Sequence, residues 1–141
     1  MYFDTCYIAK FYFNEPESDR VRELVRKTDT IRSSAWAFAE MHGVIHRHLR
    51  EHSITTAGAR EIASRFGGHV EDRLWNLVPV TDALLRRTSA LILSAPPELF
   101  LRTADAVHLA TARETGECEI WTSDRHMLAA SSHFGLAGRS V

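Results

Sequence analysis

Cysteine is nearly missing from this chain of 141 residues, lysine more so after its first quarter, and no long apolar run occurs anywhere. Cys6 and Cys118 have no metal-type spacing, which predicts free thiols and excludes a disulfide scaffold. Without a secretory signal or an apolar stretch of about 18 residues, the expected setting is the cytoplasm, with no membrane span. Low-complexity tracts, internal repeats and long linkers are absent too, so nothing divides the chain, and a single domain over 1–141 is expected. Charge of one sign is also lacking: the net charge is −1, which by itself selects no partner.

What the sequence does contain is an ordinary globular balance, 45% apolar and 25% charged, arranged in a repeating order. Short apolar runs at Met1–Phe3, Thr30–Arg32, Asn76–Val80 and Glu119–Thr122 alternate with helix-period stretches near 5–13, 17–28, 34–52, 56–73, 83–95, 104–115 and 124–132. Such alternation predicts an α/β fold around a parallel sheet. In 34–52, Ser33 or Ser34 is the expected cap, and Phe38, Met41, Ile45 and Leu49 form the expected buried stripe. Val21, Leu24 and Val25 play that part in 17–28, leaving Arg20, Arg22, Glu23, Arg26 and Lys27 in water. Gly67-Gly68 should bend or break the 56–73 stretch, and Pro96-Pro97 should close the helix before them.

Four acids stand out against this frame. Ligands bind beyond the carboxyl ends of parallel strands, and Asp4 after MYF and Asp124 after IWTS both fall there. Asp105 lies in the first turn of a helix that Thr103 would cap, and Glu40 sits among Trp36, Ala37, Ala39 and Gly43, off the apolar stripe. Carboxylates gathered in a partly buried place need cations to stay ionised, and hard oxygen donors suit Mg²⁺ or Mn²⁺. That chemistry permits phosphodiester hydrolysis. With four acids neutralised, 17 basic side chains face 14 acidic ones, a sign that suits an anionic substrate. Each acid also has a plainer reading, since Asp4 and Asp124 can cap helices and Asp105 suits a first turn.

FDT at the start, the serine-led helix carrying Glu40, LRTADAVHLATA and WTSDRHMLAA together resemble the PIN-domain family, and within it the VapC-like toxins of type II toxin–antitoxin systems. The resemblance runs over nearly the whole chain, and its last two motifs are the specific ones. It implies a three-layer α/β/α sandwich with a central parallel sheet of four to five strands. It further implies a metal-dependent endoribonuclease that inhibits translation, a VapB-like antitoxin as partner and a homodimer. Carried over by position, Asp4, Glu40, Asp105 and Asp124 become the catalytic, metal-binding acids. Thr5 and either Thr122 or Ser123 become their hydrogen-bonding supports. Lys10, Arg102 and Arg125 are candidate contacts for RNA phosphates. Cys6 departs from the pattern, because a serine or asparagine commonly follows the Asp-Thr pair; it is expected to be a small packing residue and not a nucleophile.

Other signals compete less well. His42 with His46, and His48 with His52, are four apart, yet no third or fourth ligand completes a zinc site. His108, one turn after Asp105, is expected to be a hydrogen-bonded, half-buried histidine, and Trp36, Trp75 and Trp121 read as core or dimer packing. A haloacid-dehalogenase-like phosphatase would need an aspartate where Cys6 stands, and a phosphoacceptor receiver would need a late lysine, whereas none follows Lys27. The remaining alternative is a non-catalytic PIN-like module that grips RNA or protein; the completeness of the acid set favours catalysis.

Overall fold

The computed structural model describes residues 1–141. Its chain order is β1 (Tyr2–Phe3), α1 (Thr5–Tyr12), α2 (Ser18–Arg26), β2 (Ile31–Ser34), α3 (Trp36–Arg50), α4 (Thr56–Glu71), β3 (Trp75–Val78), α5 (Asp82–Leu93), α6 (Thr103–Glu114), β4 (Glu119–Trp121), α7 (Arg125–Ala130) and β5 (Ala137–Arg139). The five strands form one sheet in the order β3-β2-β1-β4-β5, and every pairing is parallel. No helix is long and apolar enough to cross a membrane.

Alternation along the strands builds two cores, one on each side of the sheet. Phe3, Ile31 and Trp75 face the first, where α1 supplies Tyr7 and Ile8, α2 Val21 and Val25, α3 Met41 and Ile45, and α4 Phe66. Tyr2 and Ile120 face the second, filled by Leu84 of α5, Leu109 and Ala110 of α6, and Met127 and Ala130 of α7. The result is a three-layer α/β/α sandwich. Because β1 is the middle strand and has only two residues, both are completely buried, one in each core.

Several local expectations are corrected. Gly67 and Gly68 neither bend nor break α4, which runs unbroken from Thr56 to Glu71, because intrahelical bonds and the packing of Phe66 outweigh their poor propensity. Ser33 and Ser34 are buried at the end of β2; Ala35 occupies the cap position, and Ser34 Oγ accepts from the Trp36 amide at 3.2 Å. Likewise Arg102, not Thr103, precedes α6, and Thr103 is its first helical residue. Phe38 and Trp36 are exposed on either side of Ala37, which is the buried residue of the first turn of α3, whereas Met41 and Ile45 are buried as expected. Arg22 is held against α1 by bonds to the carbonyls of Phe11 and Phe13. The fifth strand, Ala137-Gly138-Arg139, had no apolar run to announce it; an edge strand with one pairing partner needs none.

Candidate active site

The carboxyl ends of β1 and β4, which are paired, carry Asp4 and Thr122 into one place. Asp4 caps α1, accepting from the Tyr7 amide at 3.0 Å, and Asp124 caps α7, accepting from the amides of His126 at 2.7 Å and Met127 at 3.2 Å. The helix-cap reading of both acids is therefore correct, and it fixes them at the sheet edge. A cavity of about 290 Å³ opens at this edge, lined by Asp4, Glu40, Asp105 and Asp124 together with Thr5, Cys6, His108, Arg102 and Arg47. The fold thus gathers acids spread over 120 positions of sequence.

Each carboxylate has a different environment. Burial pushes Asp4 above its ordinary value, although hydrogen bonds from Cys6, Thr122 and the Tyr7 amide and the charge of His108 oppose the rise. The Thr122 hydroxyl donates to Asp4 Oδ2 at 2.6 Å and accepts from the Asp124 amide at 2.9 Å, so one side chain ties two of the acids together. Asp105 is also raised, by desolvation first and then by the negative charges of Asp124 and Asp4; Arg102 and His108 work in the other direction. Its Oδ2 is buried without a hydrogen-bond partner. Glu40 differs: burial would raise it, but His108 and Thr5, helped by Trp36, more than offset this and hold it below the usual range. Glu40 Oε2 accepts from Thr5 Oγ1 at 2.5 Å and lies 2.9 Å from His108 Nε2, while His108 Nδ1 meets the Tyr2 hydroxyl at 3.0 Å.

Of the supporting residues, Thr5 bonds to Glu40 and Thr122 to Asp4, but Ser123 bonds to none of the four cavity acids; its hydroxyl donates to Glu17 at 2.8 Å. Lys10 is buried and spent on Glu17 at 2.9 Å and the Pro16 carbonyl at 2.8 Å, outside the cavity. Arg125 also stays outside, whereas Arg102 lines the cavity with its guanidinium 3.4 Å from Asp124 Oδ2. His108 is more deeply buried than expected, at 2% exposure. Cys6 is more than packing: its thiol donates to Asp4 Oδ1 at 3.0 Å, and burial together with the Asp4 charge holds its pKa well above the ordinary value, so it stays a thiol. Arg47 went unforeseen, although it stands seven residues after Glu40 and so on the same face of α3, a spacing that marks it. The paired histidines of α3 assemble no site; His42 bonds to the Phe38 carbonyl and His48 to Ser53.

No three His, Cys, Asp or Glu side chains already stand close enough to enclose an ion. The donor set nevertheless suits a hard divalent cation: four carboxylates around one cavity, Asp4 raised by burial, Asp105 raised by burial and by the charges of Asp124 and Asp4, and one oxygen left without a partner. A cation would stabilise the charges that the protein leaves uncompensated.

The PIN domain family model matches residues 1–131. The chain belongs to the PIN-domain family. This PIN domain is 34% identical over 140 residues to ribonuclease VapC46 of Mycobacterium tuberculosis, covering 97% of this chain and 94% of that protein. Its fold is shared by M. tuberculosis VapC20, titled a sarcin–ricin loop cleaving toxin, with a TM-score of 0.72 at 16% identity over 92% of this chain and 93% of that one.

Proposed function

We propose that this PIN domain is a metal-dependent endoribonuclease and the toxin of a VapBC-type pair, acting in the cytoplasm to inhibit translation. The observation that carries the reading is the convergence of Asp4, Glu40, Asp105 and Asp124 on one cavity, with Asp105 Oδ2 unpartnered. The name of the VapC46 relative supports the same class of activity. In this reading the four acids hold Mg²⁺ or Mn²⁺, which when bound supplies Lewis acidity at the phosphodiester and a water of lowered pKa.

The chain's own residues do the rest. Thr122, Cys6 and the Tyr7 amide favour the charged form of Asp4, and Thr5 and His108 orient Glu40. Arg102 and Arg47 put positive charge at the mouth of an acidic site, where an RNA phosphate must approach. The expected partners are an RNA substrate, a VapB-like antitoxin that covers the acids, and a second copy of the chain.

Purified protein free of antitoxin, given total RNA with Mg²⁺, with Mn²⁺ and with chelator, tests this. Discrete products that need metal and vanish in Asp105→Asn support the nuclease. One observation favours a second reading, a PIN-like binding module: Glu40 is engaged by Thr5 and His108, and no ion site is preassembled. RNA binding without any metal-dependent cleavage would establish it instead.

A further inference from the structure

Between α5 and α6, residues 94–102 form a connection without helix or strand. Leu99 and Leu101 turn inward and pack against the second core, so the residue between them must point out. That residue is Phe100, and 55% of it is exposed. Its ring lies 4.4 Å from the His126 ring, centroid to centroid, at 46°. The Arg102 guanidinium carbon stands 5.5 Å from the ring centre, within cation–π range. Arg102 in turn lines the acidic cavity and reaches Asp124. A half-exposed aromatic ring, with a cation over one of its faces, is thereby joined to the residues proposed to act on phosphate.

The geometry points to Phe100 as a stacking platform for a nucleobase of the strand that enters the cavity, with Arg102 and His126 as its polar flank; this rests on the nuclease reading above. Leaving a phenyl ring over half exposed costs free energy, yet here its sequence neighbours are anchored and its flank is polar, an arrangement suited to the apolar face and polar edge of a base. Other exposed apolar side chains lack this combination. Leu85 and Leu93 have no aromatic face, Phe38 packs on His42 and Phe66, and Trp36, beside Glu40, has no cation over its ring. A base held on Phe100 would set which nucleotide lies beside the bond to be cut, making this side chain a specificity determinant.

The test uses the cleavage-deficient Asp105→Asn protein and a short single-stranded RNA carrying 2-aminopurine, whose fluorescence falls on stacking. Strong quenching is expected with Phe100 present. Phe100→Ala should abolish most of it and weaken binding by about five- to hundred-fold, the range for loss of one stacked base. Phe100→Trp should restore both, and Leu93→Ala, a change at an exposed site away from the cavity, should alter neither. Since Phe100 is largely exposed, thermal melting of each variant should match its parent. Unchanged affinity and quenching in Phe100→Ala would overturn the proposal, as would no RNA binding by the parent protein. Phe100-dependent quenching in a chain whose Asp105 form never cuts RNA would keep the platform and remove the nuclease. Metal-dependent cutting with an unaltered KM in Phe100→Ala would do the reverse.

Discussion

Asp105 is the acid with the least help. It accepts no hydrogen bond, burial and its neighbours Asp124 and Asp4 raise its pKa, and only the charges of Arg102 and His108 favour its ionised form. An acid raised in the folded state contributes its full stability below its ordinary value near 3.8 and loses it as pH climbs through the raised value. Asp105→Asn escapes that loss. In chelator the variant should therefore melt higher than the parent, with a gap that is negligible near pH 3.5 and wider at pH 7, and added Mg²⁺ should narrow the gap by stabilising the parent alone. Calorimetry across pH checks this, and the same variant should lose about a hundred-fold or more in cleavage. Thr122→Val makes a complementary case. Removing its hydroxyl deletes a bond that lowers Asp4, so the acidic limb of the rate profile should move to higher pH, with about a tenfold slower rate at pH 6. The acids themselves were legible because strand ends and first turns are visible in sequence. The thiol bond of Cys6 to Asp4 and the ion pair of Lys10 with Glu17 were not: both partners lie within seven residues, but the turn geometry that brings these side chains together leaves no mark in the residue pattern.

Among the elements, α4 and β5 show opposite uses of glycine. A methyl group at Gly67 or Gly68 would meet nothing within 4 Å, and both sit in a helix interior. Each Gly→Ala change there should stabilise by about 0.5–1 kcal/mol, seen as a higher denaturation midpoint with an unchanged m-value. Gly138 is the reverse. A Cβ on β5 would come within 2.9 Å of Leu128 Cδ2 and Ser131 Oγ and 3.1 Å of the Leu128 main chain, so Gly138→Ala should cost about 1–3 kcal/mol. Helix periodicity made all seven helices readable to within a few residues. It could not reveal that the small Ala37, and not Phe38, faces the core at the start of α3, because the apolar stripe leaves the exact rotation of the helix open.

As a whole the molecule carries almost no net charge, so under the proposed function a hold on RNA would come from a few local cations. With Arg47 and Arg102 the two at the cavity, log affinity for a short single strand should fall with log salt at a slope of about −1.4, and Arg102→Ala should reduce it to about −0.7. A titration at several salt concentrations checks both values. The α/β class and its parallel sheet were evident from the alternation of runs and helices, and the three layers from the family resemblance, but strand order was not, because neighbours in a parallel sheet are chosen by packing between segments far apart in sequence. That strand order has a consequence in time. The middle strand, β1, is the first to be synthesised, and one of its two partners, β4, lies some 118 residues later. Chains fold from the N-terminus as they are made, yet this one cannot close its sheet until most of it has left the ribosome. Asp4 meets Thr122 and Asp124 only at that point, so the acidic cavity does not exist on the nascent chain until synthesis is nearly complete.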